Sequence, residues 1–222
     1  MKKVVAVILS IAMMLSVCAV SFADFNVQKL TKEEWVEYYM SLRDENTLPT
    51  LNVGADETQV SLCWHADKTD AKAEVRVSKN ADMSDAKLFV GETTPAENDE
   101  QLVCRVTVTG LEEKTSYYYQ WNTGKDWSEI CEYETKSFGN HKALIVGDIQ
   151  ITEIYEDGDD GNQINGGFMW NSLLAEALGN NSDISYLLTP GDNTSSGCTD
   201  AEWQTLLMPK ALRGLPMAMA IG

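Results

Sequence analysis

Two apolar runs in this chain end in the same dipeptide. Ala143-Leu-Ile-Val-Gly147 delivers Asp148, and Ile184-Ser-Tyr-Leu-Leu-Thr-Pro-Gly191 delivers Asp192; a third run, Pro216-Met-Ala-Met-Ala-Ile, stops at Gly222. A short, continuous apolar run that hands a carboxylate to the next loop reads as a strand buried on both faces, the kind that parallel sheets use. The intervening segments have helical period. From Gln163 to Gly179, Ile164, Phe168, Leu174, Ala177 and Leu178 fall on one side. A second helix is predicted to start at Thr199, with Glu202 completing a capping box and Trp203, Leu206, Leu207 and Leu212 on its apolar side. The order βαβαβ predicts a parallel sheet with covering helices. Three strands also leave open edges and make a small sheet for independent stability.

Gly-Asp by itself carries little information. With 15 Gly and 16 Asp in 222 residues, about one such pair arises by chance, and three occur. Gly158-Asp159 follows no strand-like run and is set aside. The other two follow buried-strand runs one helix apart, so right-handed crossovers bring Asp148 and Asp192 to one sheet edge. Two carboxylates held together repel unless a proton or cation lies between them, and a dinuclear metal centre with one bridging carboxylate removes the repulsion. The competing reading of each Asp is a helix cap or turn residue. The acidic loop 157–162 misses EF-hand spacing and reads as a solvated loop.

Upstream the period changes. Gln59–Trp64, Ala73–Val77, Lys87–Val90, Leu102–Val108, Tyr117–Trp121 and Cys131–Thr135 are short, strand-like runs between polar turns. Six or seven such strands over residues 49–136 predict an antiparallel β-sandwich. Val60-x-Leu62-x-Trp64 puts a Trp on an inward-facing strand, and Leu111-x-x-x-Thr115-x-Tyr117-x-Tyr119 is similar to the turn-and-strand signature of a fibronectin type III module. His65 reads as a strand-surface residue. His141, in the linker 137–142, precedes the first apolar run and therefore lies at the wrong strand end for a ligand. Within residues 24–48, Thr31 and Glu34 predict a capping box, and Trp35, Tyr38, Tyr39 and Leu42 form one aromatic-rich face that should pack on a neighbouring domain.

Residues 1–23 read as a secretory signal peptide: basic Lys2-Lys3, an apolar stretch from Val4 to Ala19, and small residues Ser21 and Ala23 at the cleavage positions. An uncleaved anchor and a lipoprotein site at Cys18 are the weaker readings. The net charge is −17, which disfavours nucleic acid and anionic lipid as partners. Cys63, Cys104, Cys131 and Cys198 match no dense disulfide framework or zinc pattern; at most one pair among the first three, or buried free thiols, are the two readings.

The order Gly147-Asp148-Ile149-Gln150, then Gly191-Asp192-Asn193, then a hydrophobic strand ending in Gly222 resembles the calcineurin-like metallophosphoesterases. Their signature runs Gly-Asp-x-(His, Gly or Gln), Gly-Asp-x-x, Gly-Asn-His-(Asp or Glu). With a sandwich in front, the chain resembles the bacterial purple acid phosphatase-like branch. The resemblance implies a fibronectin type III-like β-sandwich followed by the first βαβαβ part of an α/β metallophosphoesterase domain. The expected divisions are a signal peptide at 1–23, a helical segment at 24–48, the sandwich at 49–137 and the partial catalytic domain at 138–222. It implies that Asp148 ligates one metal, that Asp192 bridges two, and that Gln150 stands where many relatives place a His ligand. The implied cofactors are two divalent or trivalent ions (Fe, Mn or Zn), the implied substrate is a phosphate ester, and the implied location is secreted or at the cell envelope. Ser195 replaces the Tyr of the true purple enzymes, which argues against their colour. The family's Asn-His-(Asp or Glu) and two later His motifs would follow Gly222, and the transition-state His lies among them. The chain is therefore expected to be an incomplete, inactive fragment. The alternative is a non-catalytic extracellular binding or spacer protein acting through the fibronectin-like module. A nucleotide-binding α/β domain is disfavoured because no Gly-rich phosphate loop follows the first strand.

Overall fold

The computed structural model describes residues 29–43, 47–69, 71–96, 101–151, 161–197 and 199–220. The leader at 1–23, Cys18, Gly158-Asp159, most of the acidic loop, Cys198 and Gly222 lie outside these residues. Among the described residues eight strands make up the first half: β1 Thr50–Val53, β2 Gln59–Asp67, β3 Glu74–Ser78, β4 Lys87–Val90, β5 Glu92–Pro95, β6 Gln101–Thr109, β7 Ser116–Trp121 and β8 Cys131–Glu134. Period-two alternation turns Val60, Leu62, Trp64 and Ala66 of β2 and Cys104, Val106 and Val108 of β6 toward Val75, Val77, Tyr117, Tyr119 and Trp121 of the second sheet, and all are buried in one shared core. The Trp64 indole N–H, which could not be left bare there, donates to the Asn122 carbonyl at 3.0 Å. After β6 the chain turns through Gly110 at φ 76°, and the Glu112 N–H donates to the Tyr117 hydroxyl at 2.7 Å, closing the turn ahead of β7.

β1 and β5 are additions to the sequence reading. β5 is a polar edge strand ending in Pro95, and of the hydrophobic residues in β1 only Leu51 is buried. Short edge strands of this kind carry almost no apolar signal.

The second half holds β9 Ala143–Ile145, β10 Tyr186–Thr189 and β11 Met217–Met219, with helices α1 Lys32–Leu42, α2 Gly161–Asn180 and α3 Asp200–Leu207 and a 3-10 turn at Lys210–Arg213. β9, β10 and β11 pair in parallel, and the crossovers carry α2 and α3. The expected isolated three-stranded sheet does not occur. β1 pairs in parallel with β11 (Asn52 against Met217), which closes one edge and gives a seven-stranded sheet in the order β5-β6-β2-β1-β11-β10-β9. Leu187 and Met217 pack with Ile151, Trp170, Leu174, Leu206 and Leu212 in a second core.

The capping box of α1 forms as expected: Glu34 N–H donates to Thr31 Oγ1 at 3.2 Å, and Thr31 N–H donates to Glu34 Oε2 at 2.8 Å. Its aromatic face packs on α2 and the end of α3. The Trp35 indole donates to the Ile164 carbonyl, the Tyr39 hydroxyl to Gln163 Oε1 and the Tyr38 hydroxyl to the Met208 carbonyl, at 2.9, 2.9 and 3.0 Å. The capping box expected at α3 does not form, since the Thr199 side chain makes no cap bond and Glu202 points elsewhere. Leu212 belongs to the 3-10 turn rather than to α3, because Pro209 interrupts the helix. Cys63, Cys104 and Cys131 are free thiols, which decides between the two cysteine readings for these three. No helix among the described residues is long and apolar enough to cross a membrane.

Candidate functional site

Asp148 and Asp192 follow neighbouring parallel strands. β9 and β10 run in register (Leu144 with Leu187, Ile145 with Leu188), and the pairing continues past the strands through Val146 N–H to the Leu188 carbonyl at 3.1 Å. Both Asp residues therefore emerge at the same sheet edge. The two preceding glycines serve different ends. Gly191 has φ 142°, which L residues rarely adopt, whereas Gly147 makes a close approach: a Cβ there would stand 3.3 Å from Pro190 Cγ.

The backbone immediately after each glycine is left-handed. Asp148, Gln150 and Asp192 have φ of 54°, 48° and 51°. Such conformations cost on the order of 1–3 kcal/mol each in non-glycine residues and persist only where their surroundings hold them. The holding contacts are backbone hydrogen bonds between the two loops. Gln150 N–H donates to the Asp192 carbonyl at 3.0 Å, Ile151 N–H to the Asn193 carbonyl at 3.2 Å and Ser195 N–H to the Ile151 carbonyl at 2.9 Å. The Ser195 hydroxyl donates to the Gln150 carbonyl at 3.2 Å and so closes the loop. Asn193, 3% exposed, donates through Nδ2 to the Ala220 carbonyl at 2.9 Å and ties this loop to the end of β11. The loops are fixed from beneath by buried Ile151 and Asn193, while the side chains of Asp148, Gln150 and Asp192 are exposed.

Two carboxylates and one amide oxygen at one edge are hard donors, suited to a cation. They are fewer than a metal shell requires, and no group of three His, Cys, Asp or Glu that could hold a metal occurs among the described residues. His141 lies at the opposite end of β9, with Nε2 3.0 Å from Glu57 Oε1, and His65 lies on β2; neither joins the Asp pair. No activated thiol is present among the three described cysteines. Burial pushes Cys131 up to about 12 and Cys104 up to about 11, and it raises Cys63 as well.

Glu202 is a further contributor to this loop. It has 0% exposure, and its Oε2 accepts from Ser196 N–H at 3.1 Å, the Ser196 hydroxyl at 2.7 Å and Gly197 N–H at 3.3 Å. The carboxylate clamps the segment that follows Asp192. Its place in a Thr-x-x-Glu pattern marked it as a cap, but the small residues before Thr199 fold back and take it instead.

No curated protein sequence matches the chain. The family model for the purple acid phosphatase N-terminal domain matches residues 48–135. Among solved structures, purple acid phosphatase PPD1 from yellow lupin (Lupinus luteus) seeds aligns with a TM-score of 0.59 and 16% identity, over 79% of this chain and 34% of that chain. The structure of PhoD aligns with a TM-score of 0.46 and 10% identity, over 80% and 39%, too loosely to bear on the fold. The chain thus spans about a third of the length of the lupin protein. The resemblance to purple acid phosphatases read from the sequence is borne out: residues 48–135 match the purple acid phosphatase N-terminal domain, and 79% of the chain shares the fold of a purple acid phosphatase.

Proposed function

We propose that this chain carries the N-terminal module and the first metal-ligand loops of a secreted, metal-dependent phosphoesterase of the purple acid phosphatase-like type, acting on phosphate esters. The observation that carries the reading is the delivery of Asp148 and Asp192 from adjacent parallel strands, in strained backbone, next to a purple acid phosphatase N-terminal domain. In this reading residues 138–222 are the opening βαβαβ of the catalytic domain, Asp148 and Asp192 would hold the metal ions, and the Gln150 amide oxygen would be a weak additional donor. A bound pair of Fe, Mn or Zn ions would supply positive charge for phosphorus chemistry. The chain's own part is to orient the two carboxylates. The interlocked backbone of 150–151 and 192–195 and the Glu202 clamp hold that edge rigid before any ion arrives.

Three oxygen donors do not complete a dinuclear site, so the chain alone is expected to show little or no turnover of an aryl phosphate with Mn2+, Fe or Zn2+. The direct test is Mn2+ binding, followed by electron paramagnetic resonance. Weak binding should fall tenfold or more in Asp148→Asn and in Asp192→Asn, and stay unchanged in Asp183→Asn, an exposed carboxylate occupied with Lys142 at 2.7 Å. Binding indifferent to both strand-end substitutions, or turnover that survives Asp192→Asn, would refute the assignment.

A further inference from the structure

A second concavity of about 280 Å3 lies away from the strand-end carboxylates, between β2 and α3. Leu48, Leu207 and the edge of Trp64 give it apolar surface, and Trp203 lines it with a ring whose orientation is fixed by a 3.3 Å hydrogen bond from its indole N–H to the Gly197 carbonyl. Thr50, whose hydroxyl donates to the Cys63 carbonyl, and Gln101 add polar wall, and three further polar side chains complete the lining. His65 comes from β2; Asp200 and Gln204, four residues apart, come from one face of α3. Among the described residues these three side chains make no hydrogen bond or ion pair, and with Asp200 exposed and His65 and Gln204 half-buried their polar atoms are open to a ligand entering from solvent.

The chemistry of the lining narrows what it can take. The Cys63 thiol at its wall is kept protonated by burial, so it is neither a nucleophile nor a soft metal ligand. No three-ligand metal group occurs among the described residues. An anion would meet the Asp200 carboxylate and a chain of net charge −17. A carboxylate that only accepts, an amide that donates and accepts, and an imidazole that does both match adjacent hydroxyl groups, each of which donates and accepts. The indole beside them matches an apolar C–H face. The volume suits one six-membered ring, slightly below the usual range for drug-sized pockets.

We propose that this cavity binds a single neutral sugar ring, stacked on Trp203 and hydrogen-bonded by His65, Asp200 and Gln204. The proposal does not rest on the phosphoesterase reading: His65, Asp200 and Gln204 lie outside the strand-end loops, and only the Trp203 indole touches that segment, at the Gly197 carbonyl. The test is saturation-transfer NMR and calorimetry on the whole chain with glucose and N-acetylglucosamine, and with choline and glucose 6-phosphate to probe cationic and anionic chemistry. A sugar should bind with a dissociation constant on the order of 1 mM. Gln204→Ala and Asp200→Ala should each weaken it about tenfold with an unchanged melting temperature, and Trp203→Ala should abolish it. No response to either sugar overturns the proposal. So does binding of choline or the sugar phosphate in preference to the neutral sugars, or sugar binding that Gln204→Ala and Asp200→Ala leave intact.

Discussion

Glu202 is a fully buried carboxylate that accepts three hydrogen bonds from Ser196 and Gly197. Truncation empties a fully buried position and leaves those part-buried donors without their acceptor. Glu202→Ala is therefore expected to cost about 2–4 kcal/mol in urea unfolding, and Glu202→Gln less, because the amide oxygen still accepts. The buried thiols and phenols make a different prediction. Cys131 and Cys104 titrate near 12 and 11 against an ordinary 9, and burial takes Tyr38 and Tyr133 to about 12 against an ordinary 10. Each group is protonated in the folded state at pH values where the unfolded chain has lost its proton. Their contribution to stability is complete below about pH 9 and declines as pH rises toward 12. Unfolding free energies measured from pH 8 to 11 should fall steadily. Peptide mapping after alkylation at pH 8 should find Cys104 and Cys131 unmodified in the native chain and modified in urea.

At the level of elements, α1 and α2 meet at Gly167. A Cβ there would lie 2.6 Å from Trp35 Cζ2 and 2.8 Å from Thr205 Cγ2, and the Trp35 ring is pinned through its indole N–H to the Ile164 carbonyl. Ala improves helix propensity by roughly 1 kcal/mol, whereas forcing a methyl into a packed contact costs about 1–3 kcal/mol. With a pinned ring the second effect wins, and Gly167→Ala should lower the melting temperature by several degrees. Arg213 secures the end of α3 similarly. It is 4% exposed, and its guanidinium donates to the Leu207 and Met208 carbonyls at 2.8 and 3.3 Å, where a helix C-terminus favours positive charge.

Across the whole molecule, the two halves share more than a linker. β1 continues the parallel strands into the larger sheet, and the Tyr119 hydroxyl donates to the Arg213 carbonyl at 2.8 Å. The expected result of calorimetry is one cooperative transition; two resolved transitions would show that these contacts do not couple the halves. Much of this architecture was legible in advance. The inward set Val60, Leu62 and Trp64, the capped aromatic helix and the strand–helix alternation from 143 onward are written in residues two to four apart, where period and local hydrogen bonding leave few alternatives. The strand-end Asp pair was legible for the same reason, as residues ending apolar runs. Other features depend on partners far along the chain: the closure of β11 by β1, Glu202 turning from its own helix cap to Ser196 and Gly197, the left-handed backbone that two interlocked loops impose on Asp148, Gln150 and Asp192, and the cavity that β2 and α3 enclose. Local sequence determined which strands and helices form and which residues they offer at their ends. Only the tertiary structure decided which edges meet and which polar groups find partners, because those choices depend on contacts between segments up to more than 150 residues apart.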